Sequence, residues 1–304
     1  MLTNKHGLPD TIADAMQPRP YVGCGGSDYS ATSLIRSPRQ VQLERRYKKD
    51  IEEDLVDHWS FFMGNAIHSA LERELDSRYP TRYLVERKVT RCDLDRRVVM
   101  KVDVHDIEKQ LTIDHKTSKI GARANSKLWT EFKEDWKKQL MINAFFLEEE
   151  GFPVKELAIN QIFLDWKPFT ASVKSADDYP KTPVVELKIH CPPQEERRKY
   201  YMERLQFHID HENTPDDELP LCTPEECWES PGCWAVQSKN TGAARKCCDT
   251  KEEADVWLLN NLTATTQKSY EVVERKGGRM KCEAFCSVNK FCNQYKEWKD
   301  GRNS

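Results

Sequence analysis

No stretch of this chain is long and apolar enough to cross a membrane, since no run approaches the roughly 18 to 20 apolar residues a spanning helix needs. The opening residues, MLTNKHGLPDTIADAMQPRP, lack the apolar core of a secretory signal, so the chain is expected to be cytoplasmic. It also lacks an excess of positive charge. Forty-seven Lys and Arg stand against fifty Asp and Glu, for a net charge of -3, and a nucleic-acid partner would have to be gripped by a local basic patch. Internal repeats and low-complexity tracts are missing as well, which excludes solenoids and disordered arrays. What remains is 304 residues, 38% hydrophobic and 32% charged, a composition that describes a soluble globular protein of one large or two modest domains.

Cysteine, by contrast, is plentiful. Of eleven cysteines, eight crowd the last third: Cys222, Cys227, Cys233, Cys247, Cys248, Cys282, Cys286 and Cys292. A reducing compartment keeps thiols free, so clustered cysteines there point to metal more often than to disulfides.

Residues 1–28 carry prolines and glycines without periodicity and read as a poorly ordered leader with no core. Ser30 caps the next segment, where Leu34, Val41 and Leu43 are the buried positions among Arg36, Arg39, Arg45 and Arg46, the strongest local basic patch. A helix is expected over about 57–78 from the spacing of Trp59, Phe62, Met63, Ile67, Leu71 and Leu75. Three strands then succeed it as a meander (82–93, 96–108, 110–118), with a long amphipathic helix (128–151) stopped by Gly151, two more strands and a further helix after them. Strands interleaved with helices make a mixed α/β core, placed at 29–220. Past Pro220 the texture changes, and 221–304 reads as a small cysteine-rich lobe with Trp228, Trp234 and Trp257 as its core. Cys227, Cys233, Cys247 and Cys248 read as small buried residues of that lobe.

The most informative stretch is VDVHDIEKQLTIDHKTS. In a strand, residues i and i+2 share a face, so Asp114 and Lys116 project together and Asp103 can join them from the neighbouring strand. Two close carboxylates repel unless a cation lies between them, and oxygen ligands suit Mg²⁺ or Mn²⁺ holding a phosphate. The lysine could polarise an attacking water. A lone D-x-K is more often a solvated strand face. Here the carboxylates sit among Val102, Val104, Leu111 and Ile113, with His68 on the preceding helix and Gln139 on the following one.

The ordered set GNAIHSALE, VDVHD, TIDHKTS and KKQLMINAFFLEEEG resembles the RecB-like nucleases of the PD-(D/E)xK superfamily over roughly residues 30–165. The resemblance implies a restriction-endonuclease-like core with a central mixed sheet flanked by helices. It implies catalytic roles for Asp103, Asp114, Lys116 and Gln139, and metal ligation by His68, Asp103 and Asp114, with Gly64 as the motif glycine. An imidazole ligand makes Mn²⁺ more competitive with Mg²⁺. Gln139 matches the glutamine of a Q-x-x-x-Y motif near the DNA, whose tyrosine position is Asn143 here. SATSLIRSPRQVQLERRY resembles the family's opening helix, with Ser37 at the position of a cluster-binding cysteine. Arg36, Arg39, Arg45 and Arg46 are the expected phosphate contacts.

The tail CEAFCSVNKFC, with Cys282, Cys286 and Cys292 spaced C-x3-C-x5-C, looks like a metal site short of one ligand. It resembles the cysteine triplet of cluster-bearing RecB-like nucleases, which implies a [4Fe–4S] cluster. Cys222 is the first choice for the fourth ligand and Cys24 the second. Four thiolates also suit structural zinc.

The expected function is thus a metal-dependent deoxyribonuclease, an exonuclease of phage or mobile-element recombination acting in the host cytoplasm. By family analogy its partner is a single-strand annealing recombinase. A structure-specific endonuclease and a non-catalytic DNA-binding scaffold are the rivals. The scaffold would be recognised by a missing core residue, and Asp103, Asp114 and Lys116 are all present. Oligomeric state is not legible from these residues.

Overall fold

The structure, a computed structural model, describes residues 2–17, 26–120 and 130–303. In chain order the elements are β1 (Leu2–Thr3), α1 (Asp10–Met16), β2 (Tyr29–Ser30), α2 (Ala31–Leu34), α3 (Pro38–Arg46), β3 (Glu53–Asp54) and α4 (Trp59–Arg78). They continue with β4 (Tyr83–Asp93), β5 (Arg96–Asp106), β6 (Leu111–Ser118), α5 (Glu134–Glu149), β7 (Glu156–Phe163), α6 (Pro168–Val173), β8 (Val184–His190) and α7 (Gln194–Asp210). The last third holds β9 (Glu229–Ser230), β10 (Cys233–Ser238), β11 (Ala244–Cys248), α8 (Lys251–Asn261), α9 (Ala264–Gln267), β12 (Tyr270–Arg275), β13 (Gly278–Arg279), α10 (Met280–Ala284) and α11 (Asn293–Asn303). No helix among the described residues is long and apolar enough to cross a membrane.

The chain forms two compact units, Met1–Arg36 with Glu52–Asn213, and Ser37–Ile51 with Thr214–Ser304. This departs from the expected boundary at 220, because the segment from Ser37 to Ile51 packs with the C-terminal third. Leu43 is fully buried beside Leu219, Val288 and Cys292.

The first unit is mixed α/β with a central mixed sheet flanked by helices. β4, β5 and β6 form the expected antiparallel meander, with registers Val85↔Val104 and Val104↔Ile113. β2 also lies parallel to β5, β7 lies parallel to β6, and β8 runs antiparallel to β7. A parallel pair cannot be joined by a tight turn, and α5 lies in the crossover between β6 and β7. Val98, Val99, Met100, Val102 and Val104 of β5 and Leu157, Ala158 and Ile159 of β7 are buried, as is every residue of α5 from Leu140 to Leu147. Such a run, buried on all sides of the helix, belongs to the interior. Tyr201 of α7 closes it, with its ring 5.5 Å from that of Phe145 and 5.1 Å from that of Phe146. Gly151, just past α5, takes φ +88°, as the stop reading required.

Two sequence expectations change here. The supposed leader contributes to a small core: Ala13 and Met16 of α1 are buried with Leu55, flanked by Leu2, Leu8, Ile12 and Phe62. On α4 the apolar stripe is only half-buried and Trp59 is exposed, so that helix lies on β4, β5 and β6 through a shallow interface. One contact is specific: a Cβ on Gly64 would lie 3.2 Å from Thr117 Oγ1, so the glycine allows α4 to press against β6.

In the second unit, β11, β10 and β12 form a three-stranded antiparallel sheet. Val236, Cys248 and Ala254 form its core with Trp234 and Trp257 packed on them. Thr250 caps α8 by accepting the Glu253 N–H. Trp228, expected in this core, is instead exposed at φ +50°, and Cys247 is exposed on β11. Cys227 and Cys248 are buried as expected.

Gly64→Val is expected to force α4 off β6 and to cost about 1–3 kcal/mol, read as a lower denaturation midpoint. A second expectation concerns Asp54, which accepts from Thr3 Oγ1 at 2.8 Å, the Lys5 N–H at 2.6 Å and the Val56 N–H at 3.1 Å. Burial alone would raise its pKa, but the Lys5 and Val56 amides, with His6 and Thr3, hold the carboxyl well below the usual carboxylate range. A depressed folded value means this anchor is complete above about pH 4 and is lost as pH falls further. Hydrogen exchange of residues 3–16 should therefore accelerate in acid, and Asp54→Ala should reproduce that loosening at neutral pH.

Candidate active site

Neighbouring strands and two helices bring the expected residues together. On β5, Asp103 sits where the ladder with β6 ends, and its Oδ2 accepts the His115 N–H at 2.9 Å. On β6, Asp114 and Lys116 share a face as their spacing dictates, with Lys116 Nζ 2.7 Å from Asp114 Oδ2. Gln139 of α5 bridges this pair. Its Nε2 donates to Asp114 Oδ1 at 2.8 Å, and its Oε1 accepts from Lys116 Nζ at 3.1 Å. Four residues on along α5, Asn143 is buried, so it cannot make the strand contact expected at the motif's tyrosine position.

His68 arrives on α4, one turn after Gly64. Its Nε2 lies 2.9 Å from the His115 carbonyl oxygen and its Nδ1 3.5 Å from Asp103 Oδ2. A carbonyl only accepts, so Nε2 carries a proton, and Nδ1, facing Asp103, is the nitrogen whose lone pair a metal would take in the neutral ring.

Asp114 is buried, while Asp103 and Lys116 keep partial access to solvent. Burial raises the Asp114 pKa, Lys116 opposes that, and the charge of Asp103 adds to it. A cation at the site would relieve that strain. His115 is pushed down to about 4, first by burial and then by His68, so its ring is neutral at physiological pH.

One acidic residue was missed. The ligand atoms of His68, Asp103 and Glu86 all lie within 4.8 Å of one another, and Asp114 is not part of that triad. Glu86 lies on β4 opposite Asp103, as counting back from the two-residue turn at Leu94 and Asp95 would have indicated.

The second unit carries the cysteine constellation. Cys222, Cys282, Cys286 and Cys292 all line one cavity, together with Arg39, Lys281 and Glu226. Gln294 clamps the Cys222 peptide, accepting its N–H at 2.9 Å and donating to its carbonyl at 2.8 Å. Asn289 donates to the Cys282 carbonyl at 2.9 Å. Ser37 hydrogen-bonds the Cys222 thiol, so Cys222 stands beside the position where the opening-helix motif has its cysteine. The buried Cys227 lies within hydrogen-bonding reach of the Cys222 and Cys282 thiols, a placement that sequence spacing did not indicate. Its hydrogen bond lowers the Cys282 pKa, whereas burial raises that of Cys286. Cys24 lies outside the described residues.

The basic patch is not a free surface. Arg39 is 1% exposed, and its guanidinium donates to the carbonyls of Asp216, Leu219 and Pro220 and to Asn293 Oδ1. That arrangement keeps Arg39 from the expected phosphate contact, because the side chain is buried and four of its five N–H donors are spent inside the protein. Arg46 pairs with Asp216, which Tyr47 also binds at 2.7 Å. Arg45 is exposed and Arg36 half-buried.

No protein-family model and no curated protein matches the sequence. Among solved structures, the chain is similar to that of SSO0001, with a TM-score of 0.46 and 17% identity over 73% of this chain and 93% of that one. It is also similar to a phage related exonuclease from Haemophilus somnus 129PT, with a TM-score of 0.35 and 12% identity over 69% of this chain and 89% of that one.

Proposed function

We propose that the chain is a metal-dependent deoxyribonuclease of the PD-(D/E)xK type, an exonuclease serving phage or mobile-element recombination beside a single-strand annealing partner. One observation carries this reading. Two hydrogen-bonded sets meet on β6: His68 and Asp103 hold the His115 backbone, and on either side of it Asp114 and Lys116 are bridged by Gln139, with the Asp114 carboxylate buried. A merely solvated pair of strands has no need of such an arrangement.

Hydrolysis of a phosphodiester forms a bond from a water oxygen to phosphorus and breaks the bond to a sugar oxygen. The site must orient the water, ease its deprotonation and offset charge on the phosphate. Lys116, held by Asp114 and Gln139, is aimed by its neighbours and can hydrogen-bond the incoming water while offsetting negative charge. Asp103 and His68 supply oxygen and nitrogen donors for a divalent cation, and Asp114 is the further carboxylate beside them. Mg²⁺ or Mn²⁺ bound there neutralises charge on the phosphate. Arg36 and Arg45 remain the basic-patch residues to test as strand contacts.

The cysteine cavity fits a [4Fe–4S] cluster. Four thiolates around one zinc converge to roughly 3.8 Å from each other, whereas no three of these thiols lie within 4.8 Å of one another. The Arg39 hydrogen bonds all go to neutral oxygens, so its buried charge suits an anionic metal–thiolate centre. When bound, the cluster supplies cross-links between distant segments of the second unit.

The decisive experiment compares end-labelled linear DNA with closed circular DNA, using anaerobically purified protein with Mn²⁺, Mg²⁺ or EDTA. Loss of linear DNA alone is expected, requiring metal and falling by at least about 10³-fold in Lys116→Ala. Cutting of circles would make the protein an endonuclease, and binding without cutting would make it a scaffold. For the second unit, about four iron and four sulfide per chain are expected, lost in Cys286→Ser. One zinc per chain instead would replace the cluster assignment.

A further inference from the structure

Glu86 is the residue of the active-site region whose conformation needs an explanation. It lies opposite Asp103 in the β4–β5 pair, yet the register runs from Val85↔Val104 to Arg87↔Val102 with Glu86 outside the ladder. Its φ is +52°, in the left-handed region that glycine tolerates and glutamate rarely adopts. Such strain persists only where the surroundings impose it, and it concentrates at functional sites. The Glu86 carboxylate forms an ion pair with Lys101, which sits two residues before Asp103 on β5. Lys101 is 47% exposed along its side chain, and an ion pair that open to solvent contributes too little to account for the distorted backbone.

The distortion makes sense by what it assembles. It leaves a carboxylate oxygen within 4.8 Å of donors on both His68 and Asp103. Two carboxylates and an imidazole so close are mutually repulsive or idle without a cation, and Lys101 supplies one unit of compensation from the side. The imidazole contributes a free Nδ1, because Nε2 is committed to the His115 carbonyl. One nitrogen and two carboxylates form a mixed set that favours a first-row divalent ion such as Mn²⁺ over Mg²⁺, which prefers oxygen alone.

We propose that Glu86 is a ligand of the active-site cation, completing a His68–Glu86–Asp103 triad, and that Lys101 is a displaceable internal counter-ion that holds Glu86 in place until the cation arrives. This rests on the reading that the site binds a divalent cation, and it changes which residues hold it. Asp114, committed to Lys116 and Gln139, then orients the lysine. The left-handed backbone is the cost of bringing a second carboxylate to bear from β4.

The test is Mn²⁺ binding to the full chain, followed by the electron paramagnetic resonance signal of free Mn²⁺, in the parent protein and in Glu86→Gln, Glu86→Gly and Lys101→Met. Glu86→Gln should weaken Mn²⁺ binding at least about tenfold. Lys101→Met should tighten it severalfold, since a competing ammonium is gone. Glu86→Gly separates ligation from folding: it relaxes the left-handed backbone, so it should raise the melting temperature while weakening Mn²⁺ binding as Glu86→Gln does. Parent-like affinity in both Glu86 variants would overturn the proposal, and unchanged affinity in Lys101→Met would overturn the counter-ion role. If the parent binds Mn²⁺ through Glu86 without cleaving DNA, the nuclease reading fails and this one stands. If cleavage persists while Mn²⁺ affinity is indifferent to Glu86, the nuclease reading stands and this one fails.

Discussion

Both backbone polar groups of His115 are bonded by side chains of the active-site region: its N–H by the Asp103 carboxylate and its carbonyl by His68 Nε2. The β5–β6 ladder stops at Val104↔Ile113, so these two groups would otherwise have exchanged bonds with β5. Asp103 substitutes a side-chain acceptor for the missing rung. A backbone group buried without a partner costs free energy, so the same need that ends the ladder tidily also fixes the carboxylate. His68 is then positioned by the carbonyl of the same residue, and the Nε2 proton is fixed by that contact. Once α4 is pressed against β6 at Gly64 and Thr117, the imidazole and the carboxylate have little freedom left.

A second fixed point organises the unit formed by Ser37–Ile51 and Thr214–Ser304. Arg39 gathers the carbonyls of Asp216, Leu219 and Pro220 and the side chain of Asn293 around one guanidinium. Tyr47 stacks on Phe291 with ring centroids 4.2 Å apart, and Leu43 sits beside Val288 and Cys292. A short helix from the first sixth of the sequence thereby becomes part of the frame around the cysteine cavity. The arginine that read as a phosphate contact is an interior strut, because a rigid fork of donors can satisfy several carbonyls at once.

Much of the first unit was legible because its signals are periodic. Alternation in 83–93 and 96–106 marked two strands, and the shared face of Asp114 and Lys116 came from a two-residue repeat. Gly151 ended α5 for the reason glycine does so. The failures have their own logic. Trp228 is apolar enough to read as core, but its left-handed backbone places it at the surface. The first sixteen residues show no periodicity that marks their apolar side chains as core, and only Leu55 and Phe62, far along the chain, turn them into one.

Local sequence by itself determined the strands and helices, the pairing of Asp114 with Lys116, the cap at Ser30 and the grouping of the late cysteines. Each depends on neighbours within a few residues, where backbone geometry alone fixes which side chains share a face. Only the tertiary structure decided that Glu86 meets Asp103 and His68, that Cys227 joins the cavity thiols, and that Arg39 turns inward. Those outcomes depend on strand register, on a distorted residue within it and on packing between segments far apart in sequence. No local pattern encodes such contacts, since their energy is set by partners that only folding brings within reach.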